Sequence, residues 1–182
     1  MRFLALLLAL LVATPALAQS PAERKAALDG MLTALKAAPN EETAGTLEQR
    51  IRQAWLESGT PAATLLMTRG VRDLQKDSDE AIDDFNAVLA LEPELADAYY
   101  HRALARFQEG DYRGALGDLE ETLKREPRHF AAFMSLSRIA ESRDDYKGAL
   151  EAWKKVLELS PNTPDGQERL KLLEKKALGE ES

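Results

Sequence analysis

The 182 residues of this chain are 45% hydrophobic and 30% charged, carry a formal net charge of −7 and include no cysteine. This composition is typical of a folded helical domain and not of a disordered segment. The acidic balance, with no stripe of clustered lysine and arginine, argues against nucleic acid as a partner. The lack of cysteine excludes disulfides, thiolate metal sites, thiol catalysis and a lipidated N-terminal cysteine.

Residues 1–18 have the pattern of a secretory signal peptide. Arg2 supplies a positive charge, residues 3–12 form an apolar run, and Ala16 and Ala18 form a small-x-small cleavage site. An uncleaved anchor is the alternative, but crossing a bilayer takes about 20 apolar residues, and no later stretch of this chain has that pattern. We therefore expect cleavage after Ala18 and an exported protein, periplasmic or secreted. A leader without lipid-attachment or disulfide-forming cysteines behind it favours a bacterial periplasm.

Residues 19–60 are predicted to form a helical hairpin. Ser20 is placed to cap the first helix, with Pro21 at its first position and Glu23 completing a capping box. Pro39 and Asn40 end that helix and begin the next, which then reaches a turn that precedes residue 61. Four residues form the buried stripe of the second helix: Leu47, Ile51, Ala54 and Trp55.

A repeat of 34 residues organises the rest of the chain. Residues 111–127 recur at 145–161 and, less clearly, at 78–93. Each unit consists of two helices and a closing proline, which cannot continue a helix. Stepping back one further period reaches Leu47 and Ile51, so residues 19–60 are either a degenerate repeat or an unrelated hairpin.

The three units resemble the tetratricopeptide repeat family. That family places a large and then a small residue in helix A, a turn of Gly-Asp-Tyr type, and a small residue followed by large ones in helix B before a closing proline. The second unit supplies Tyr99, Ala103, Gly110, Asp111, Tyr112, Ala115, Leu119, Thr122 and Pro127. The third supplies Phe133, Ser137, Asp144, Asp145, Tyr146, Ala149, Trp153, Val156 and Pro161. The first, with a turn one residue shorter, supplies Leu66, Gly70, Ala81, Phe85, Val88 and Pro93.

The resemblance implies an all-α, right-handed solenoid of three hairpins at residues 61–163. Helices approach to about 8–10 Å only where side chains are small, and six residues would meet that requirement between paired helices: Gly70, Ala103 and Ser137 facing Ala81, Ala115 and Ala149. The last hairpin needs a covering element. Residues 164–178 are predicted to supply it as one helix begun by Thr163 and Pro164, with residues 179–182 as a tail; its buried stripe would be Leu170, Leu173 and Ala177.

No catalytic or metal-binding constellation is evident in the sequence. The two histidines, His101 and His129, are not spaced as metal ligands. We expect His101 to be an ordinary polar helix residue, and nothing assigns a role to His129. Adjacent acidic pairs such as Asp83 and Asp84 point about 100° apart on a helix, so they are interpreted as solvated faces or caps. We therefore expect a protein that is not an enzyme and has no cofactor or metal.

The resemblance also implies a concave face lined by the A helices that holds a peptide or a helix of a partner protein. An apolar set with adaptable methionines and aromatic anchors suits such a ligand. The alternative is that the N-terminal helices fold across this groove and bury it. The residues expected to line it are Met67, Val71, Leu74, Tyr100, His101, Leu104, Phe107, Met134 and Arg138, with Glu141 beside them.

One binding mode of the family is disfavoured by the residues. The clamp that grips acidic C-terminal tails of chaperones uses Lys, Asn and Arg, and the matching positions here hold Met67, Val71, His101, Ala131 and Ser135. The first hypothesis is thus a non-catalytic adaptor that docks a protein of the cell envelope without inserting into the membrane. A carrier of an apolar small molecule or lipid is the alternative, and a self-associating scaffold, which would be a homo-oligomer, is a third.

Overall fold

A computed structural model describes residues 20–76 and 78–179 of the chain. Those residues form nine α-helices and no strand. The predicted signal peptide, residues 1–18, lies outside them. No helix in the described part is long and apolar enough to span a bilayer. The helices are α1 (Pro21–Lys36), α2 (Glu41–Leu56), α3 (Pro61–Asp73), α4 (Ser78–Leu91), α5 (Ala96–Gln108), α6 (Tyr112–Arg125), α7 (Phe130–Glu141), α8 (Tyr146–Leu159) and α9 (Gly166–Ala177).

The predicted helix starts at the N-terminal end are confirmed by their caps. Ser20 and Glu23 form a full capping box, in which the Ser20 backbone N–H donates to the Glu23 carboxylate at 2.7 Å. The side chains of Asn40 and Thr60 accept from backbone N–H groups in the first turns of α2 and α3. Because these caps satisfy N–H groups that a helix leaves without partners, they define where each helix begins.

The predicted start of the last helix is wrong. Thr163 does not cap it but is buried, with 2% of its surface exposed. Two successive turns carry the chain past Pro164 to Asp165, which has a left-handed φ of 55°. The detour brings the carbonyl of Gly166 against Trp153, whose indole N–H donates to it at 2.9 Å. Packing against the third repeat therefore determines this start, and not the Thr-Pro pair.

Small residues lie between the paired helices of all three hairpins, as the sequence predicts. Gly70 is buried, and Ala103 and Ser137 have at most 1% of their surface exposed. A Cβ atom on Gly70 would lie 2.7 Å from Cε1 of Phe85, closer than real Cβ atoms approach. The helices of a pair can therefore touch along their backbones only because these positions carry little or no side chain. Opposite them lie Ala81, Ala115 and Ala149, all fully buried.

Ion pairs tie helix A to helix B in the first two repeats. Arg69 on α3 binds Asp84 on α4, and Arg102 on α5 binds Asp118 on α6 through two bonds of 2.9 and 2.6 Å. Asp84 and Asp118 are 6% and 4% exposed, so the interpretation of Asp84 as a solvated residue is wrong. In the third repeat, Leu136 and Ala152 occupy the positions of Arg102 and Asp118, so the two helices have no ion pair at these positions.

The N-terminal hairpin does not extend the stack as a fourth repeat. A repeat in register would place α2 along α3 in the way that α4 lies along α5. Instead α2 also reaches α5, and α1 reaches α8. The helical bounds of the hairpin match the expectation, but its packing is that of an element folded across the other helices.

We expect Gly70→Ala and Gly117→Ala to change stability in opposite directions. At Gly70 the added methyl collides with Phe85, and overpacking of this kind costs about 1–3 kcal/mol, more than the gain in helix propensity. At Gly117 on α6 an added Cβ meets no atom within 4 Å, so alanine should stabilise by roughly 0.5–1 kcal/mol. Urea unfolding of both variants measures the sign of each change in the free energy of unfolding. If Gly70→Ala is stabilising, α3 and α4 are farther apart than the structure shows.

Candidate functional site

The N-terminal hairpin covers much of the inner face, by which we mean the surface formed by α3, α5 and α7. The indole ring of Trp55 stacks on the imidazole of His129, with centroids 3.9 Å apart and planes at 10°. Phe130 lies at 5.2 Å from the same indole ring. Ile51 and Ala131 complete the buried contact, and Tyr100 and Met134 pack at its edge. Of the two arrangements that the sequence leaves open, the structure has the one in which the hairpin folds across the groove.

Hydrogen bonds and an ion pair fasten the hairpin along its length. Ser160 donates to the buried carboxylate of Glu48 at 2.9 Å, and Asn162 donates to the carbonyl of Ala38 at 2.8 Å. The guanidinium of Arg128 binds Asp29 at 2.7 Å. These bonds join α1 and α2 to the loops before α7 and after α8. The hairpin is thus held by several directional contacts as well as by its apolar stripe.

His129 is central to this contact, although no sequence pattern assigns it a role. Its side chain is fully buried at the N-cap of α7, where Nδ1 accepts from the backbone N–H of Ala132 at 3.2 Å. The other ring nitrogen, Nε2, lies 3.3 Å from the carboxylate of Asp97. A nitrogen that accepts cannot carry a proton, so the ring is neutral with its proton on Nε2. In the sequence His129 is marked only by its position two residues after the repeat-closing Pro127, and that position does not indicate burial.

Asp97 lies between two histidines and is 3% exposed. His101 approaches it from one side, with Nδ1 3.2 Å from Oδ2 and 2.9 Å from the backbone carbonyl of Asp97. Burial works to raise the pKa of Asp97, but attraction to His101 and hydrogen bonds from both histidines outweigh it and lower the pKa to about 2. His101 is therefore not the ordinary polar residue expected from its position in the helix.

The two histidines respond to this carboxylate in opposite ways. Burial works to lower the pKa of His101, but the nearby charge of Asp97 prevails and raises it. Burial lowers the pKa of His129, and here the contribution of Asp97 does not overcome it. Asp97 thus favours the protonated form of His101, whereas burial favours the neutral form of His129, in which Nδ1 accepts the capping bond.

The structure separates the residues predicted to line the groove into three groups. Met67 is fully buried in the first-repeat core, where Val71 and Leu74 pack at its edge; Met67 therefore cannot contact a partner, and its assignment to the groove is wrong. Two more, Tyr100 and His101, lie at or beneath the hairpin contact, where Tyr100 packs 4.7 Å from the ring of His129. Leu104, Met134 and Arg138 lie on the part of the inner face that the hairpin leaves open, and Phe107 packs at the edge of the second-repeat core beneath the guanidinium of Arg138.

A cavity of about 350 Å³ lies on this open part, bounded by α2, α5, α7, α8 and α9. Two of its guanidinium groups, those of Arg52 and Arg169, come from helices outside the A set, so sequence reasoning about A helices could not find them. Arg52 bonds to Glu48 and to the sulfur of Met134, at 3.2 and 3.5 Å. The cavity is lined by Arg52, Tyr100, Leu104, Ala131, Met134, Ser135, Arg138, Glu141, Trp153 and Arg169.

Comparison with known proteins gives the family. Residues 75–116 and 102–164 match the tetratricopeptide repeat model. A TPR repeat-containing protein of Rhizobium etli is 30% identical over 161 residues, which are 88% of this chain and 78% of that protein. The chain belongs to the tetratricopeptide repeat family. The matched repeats begin after α3, so α1 and α2, which cover the inner face of these tetratricopeptide repeats, lie outside them.

Solved structures with the tetratricopeptide repeat fold superpose on most of the chain. A MamA structure has a TM-score of 0.57 at 16% identity and covers 87% of this chain and 85% of its own. A second MamA structure has a TM-score of 0.50 at 24% identity, with coverage of 81% and 91%. The TPR2AB-domain:pHSP90 complex of yeast Sti1 has a TM-score of 0.57 at 18% identity, with coverage of 86% and 64%. At these identities the likeness shows the fold alone.

We expect Trp55→Ala to release the hairpin from the repeats. Removing a large buried ring costs about 3–5 kcal/mol, and here it also exposes one face of His129. Hydrogen exchange should rise throughout residues 21–56 while α6 stays protected. Trp55→Phe keeps an aromatic ring against His129 and serves as the matched control, with a smaller effect. Unchanged exchange in α1 and α2 of Trp55→Ala would show that the stack does not hold the hairpin.

We expect Asp97 to contribute stability that disappears in acid. Its folded pKa of about 2 lies below the ordinary 3.8, so the contribution is complete above pH 4 and is lost as the pH falls towards 2. A shift of this size corresponds to about 2 kcal/mol. Urea unfolding of the wild type and Asp97→Asn between pH 2 and 6 measures it. The difference between the two should narrow by that amount below pH 4, whereas parallel profiles would contradict the ionised, paired carboxylate.

Proposed function

We propose that this chain is a non-catalytic protein-interaction module of the bacterial periplasm that docks a segment of a partner protein on the open part of its inner face. The proposal rests on the cavity beside α2. Some of the residues predicted to line the groove remain accessible there, and the same cavity is lined by three arginines. Arginine, tyrosine, tryptophan and methionine are the residue types that interfaces favour. The hairpin thus narrows the groove to a defined pocket without filling it.

The polar groups of the molecule support binding more than catalysis. Asp97 with His101 and His129 resembles an acid–base arrangement, but it is buried beneath Trp55 and its bonds are used to hold α7 and the hairpin. Only 3% of Asp97 and none of His129 is exposed, which keeps a substrate from reaching these two groups in this conformation. Among residues 20–76 and 78–179 no group of three or more His, Asp or Glu side chains is arranged to hold a metal ion.

Family membership supports a protein segment as the ligand. The tetratricopeptide repeat structure of yeast Sti1 is a complex with pHSP90, so the fold is compatible with a bound protein. The ligand of this chain must be recognised by other residues, because the clamp positions hold Met67, Val71, His101, Ala131 and Ser135. An apolar carrier is less well supported, since the cavity has charged groups on several sides.

Export to the periplasm rests on the pattern of residues 1–18, with its apolar run and Ala-x-Ala site. Mass spectrometry of protein recovered from the periplasmic fraction tests it. We expect a mature N-terminus at Gln19. Protein found only in the cytoplasm with residues 1–18 intact would refute this part of the proposal without affecting the docking surface.

Site-specific photo-cross-linking in living cells tests the docking surface. Leu104, on the open inner face, and Glu120, exposed on α6, are replaced separately by p-benzoylphenylalanine. We expect a discrete adduct with one partner protein from position 104 and none from position 120, because only the former faces the cavity. Adducts from position 120 alone would place the partner on the opposite surface, and adducts from neither would overturn docking at both positions.

A further inference from the structure

We propose that the cavity between α2, α7 and α9 recognises the side-chain carboxylates of an acidic segment of the partner protein, which Arg52, Arg138 and Arg169 bind. This inference rests on the proposed function and adds the chemistry of its ligand. The three guanidinium groups reach one cavity from three helices that are far apart in the sequence. The cavity lining also includes one carboxylate, that of Glu141.

Two side chains with hydroxyl groups, Tyr100 and Ser135, line the same cavity as Arg52 and Arg138. Burial and the charge of Asp97 raise the pKa of Tyr100, and the positive charges of Arg52 and Arg138 act against that rise. Hydroxyl groups beside a positive charge can donate to an anion, so the cavity presents neutral as well as charged donors to one ligand.

Arg138 is the arginine best placed to bind a ligand. Arg52 pairs with Glu48, and Arg169 pairs with Glu141. Arg138 is exposed and lies over the ring of Phe107 at 5.1 Å, and it has no carboxylate partner among the described residues of the chain. A ligand carboxylate can thus bind it without displacing an ion pair of the protein itself.

The rest of the cavity favours a peptide over a small anion. Leu104, Met134 and Trp153 supply apolar walls that can contact the methylene groups and backbone of a peptide. A guanidinium fork matches the two oxygens of a carboxylate. The net charge of −7 over the whole chain means that an acidic peptide is attracted only where arginines are concentrated, which confines it to this pocket.

The site also requires the hairpin to be docked, because Arg52 belongs to α2. Arg52 lies over the ring of Phe130 at 5.0 Å and contacts the sulfur of Met134, so it reaches the cavity only when α2 lies on α7. The hairpin thus contributes a binding group as well as covering the groove. A variant that releases the hairpin should therefore weaken peptide binding even though it opens more of the inner face.

Calorimetry with the mature chain and capped peptides tests this inference. The probe is a hexapeptide of alternating Glu and Leu, and its control has Gln in place of each Glu. We expect the acidic peptide to bind and to weaken with added salt, and the neutral one to bind about tenfold or more weakly. Arg138→Gln and Arg52→Gln should each reduce affinity for the acidic peptide about tenfold, the usual effect of losing one charge-assisted bond. Arg50→Gln, exposed on the same helix as Arg52, is the matched control and should stay within about twofold.

Three outcomes would overturn the inference. These are equal binding of the two peptides, equal effects of Arg138→Gln and Arg50→Gln, and inorganic phosphate binding as tightly as the acidic peptide through the same arginines. The last would define a small-anion site and not a docking site. The cross-linking at Leu104 separates this test from the proposed function. If a partner is captured there but the acidic peptide does not bind, the proposed docking on the inner face stands, and the inference that the arginines recognise carboxylates of the partner is wrong.

Discussion

Close approach of paired helices at small side chains is the constraint on which this structure depends. Gly70, Ala103 and Ser137 let α3, α5 and α7 lie directly against their partner helices. The large residues beside them then fill the space that remains, and successive hairpins can stack. This spacing creates the inner face, because that face exists only where three A helices are aligned in register.

The hairpin α1–α2 changes what that inner face can do. Its apolar stripe covers the region that a simple repeat array would leave open, and its stack of Trp55 on His129 is supported from beneath by Asp97. What remains accessible is a pocket with a mixed lining and three arginines. The open, largely apolar surface of a simple repeat array is thus reduced here to a smaller cavity with charged groups in its lining.

The sequence predicts the repeated part of this fold well and the rest less well, for physical reasons. Ala81, Ala115 and Ala149 recur at a fixed interval, and steric demand at a helix crossing leaves few alternatives to a small residue. The stripe of Ile51 and Trp55 predicts only that α2 is buried, because an apolar face does not specify which surface covers it. The same limit explains Met67, which occupies a groove position of the family yet packs into the core.

The surroundings of polar residues are less predictable from the sequence than those of apolar residues. In the sequence, Asp84 and Asp118 look no different from aspartates exposed to solvent. Only the arginines on the paired helices, Arg69 and Arg102, show that these aspartates form ion pairs between helices. His129 is an uncommon cap, so no pattern of preferred N-cap residues identifies it. Arg52 and Arg169 lie outside the repeats, and their meeting with Arg138 depends on where α2 and α9 are docked.

The contact between the two ends of the chain also governs the order in which the molecule can fold. Repeat proteins usually rely on neighbours, so that each unit can fold as soon as the one before it is complete. Here Ala38 and Glu48 bond to Asn162 and Ser160, at sequence separations of 124 and 112 residues. Such distant contacts form slowly, since a long segment must first be ordered between them. The hairpin therefore cannot complete its contacts until residues 160–162 are in place, and the cavity that it helps to line depends on these long-range contacts.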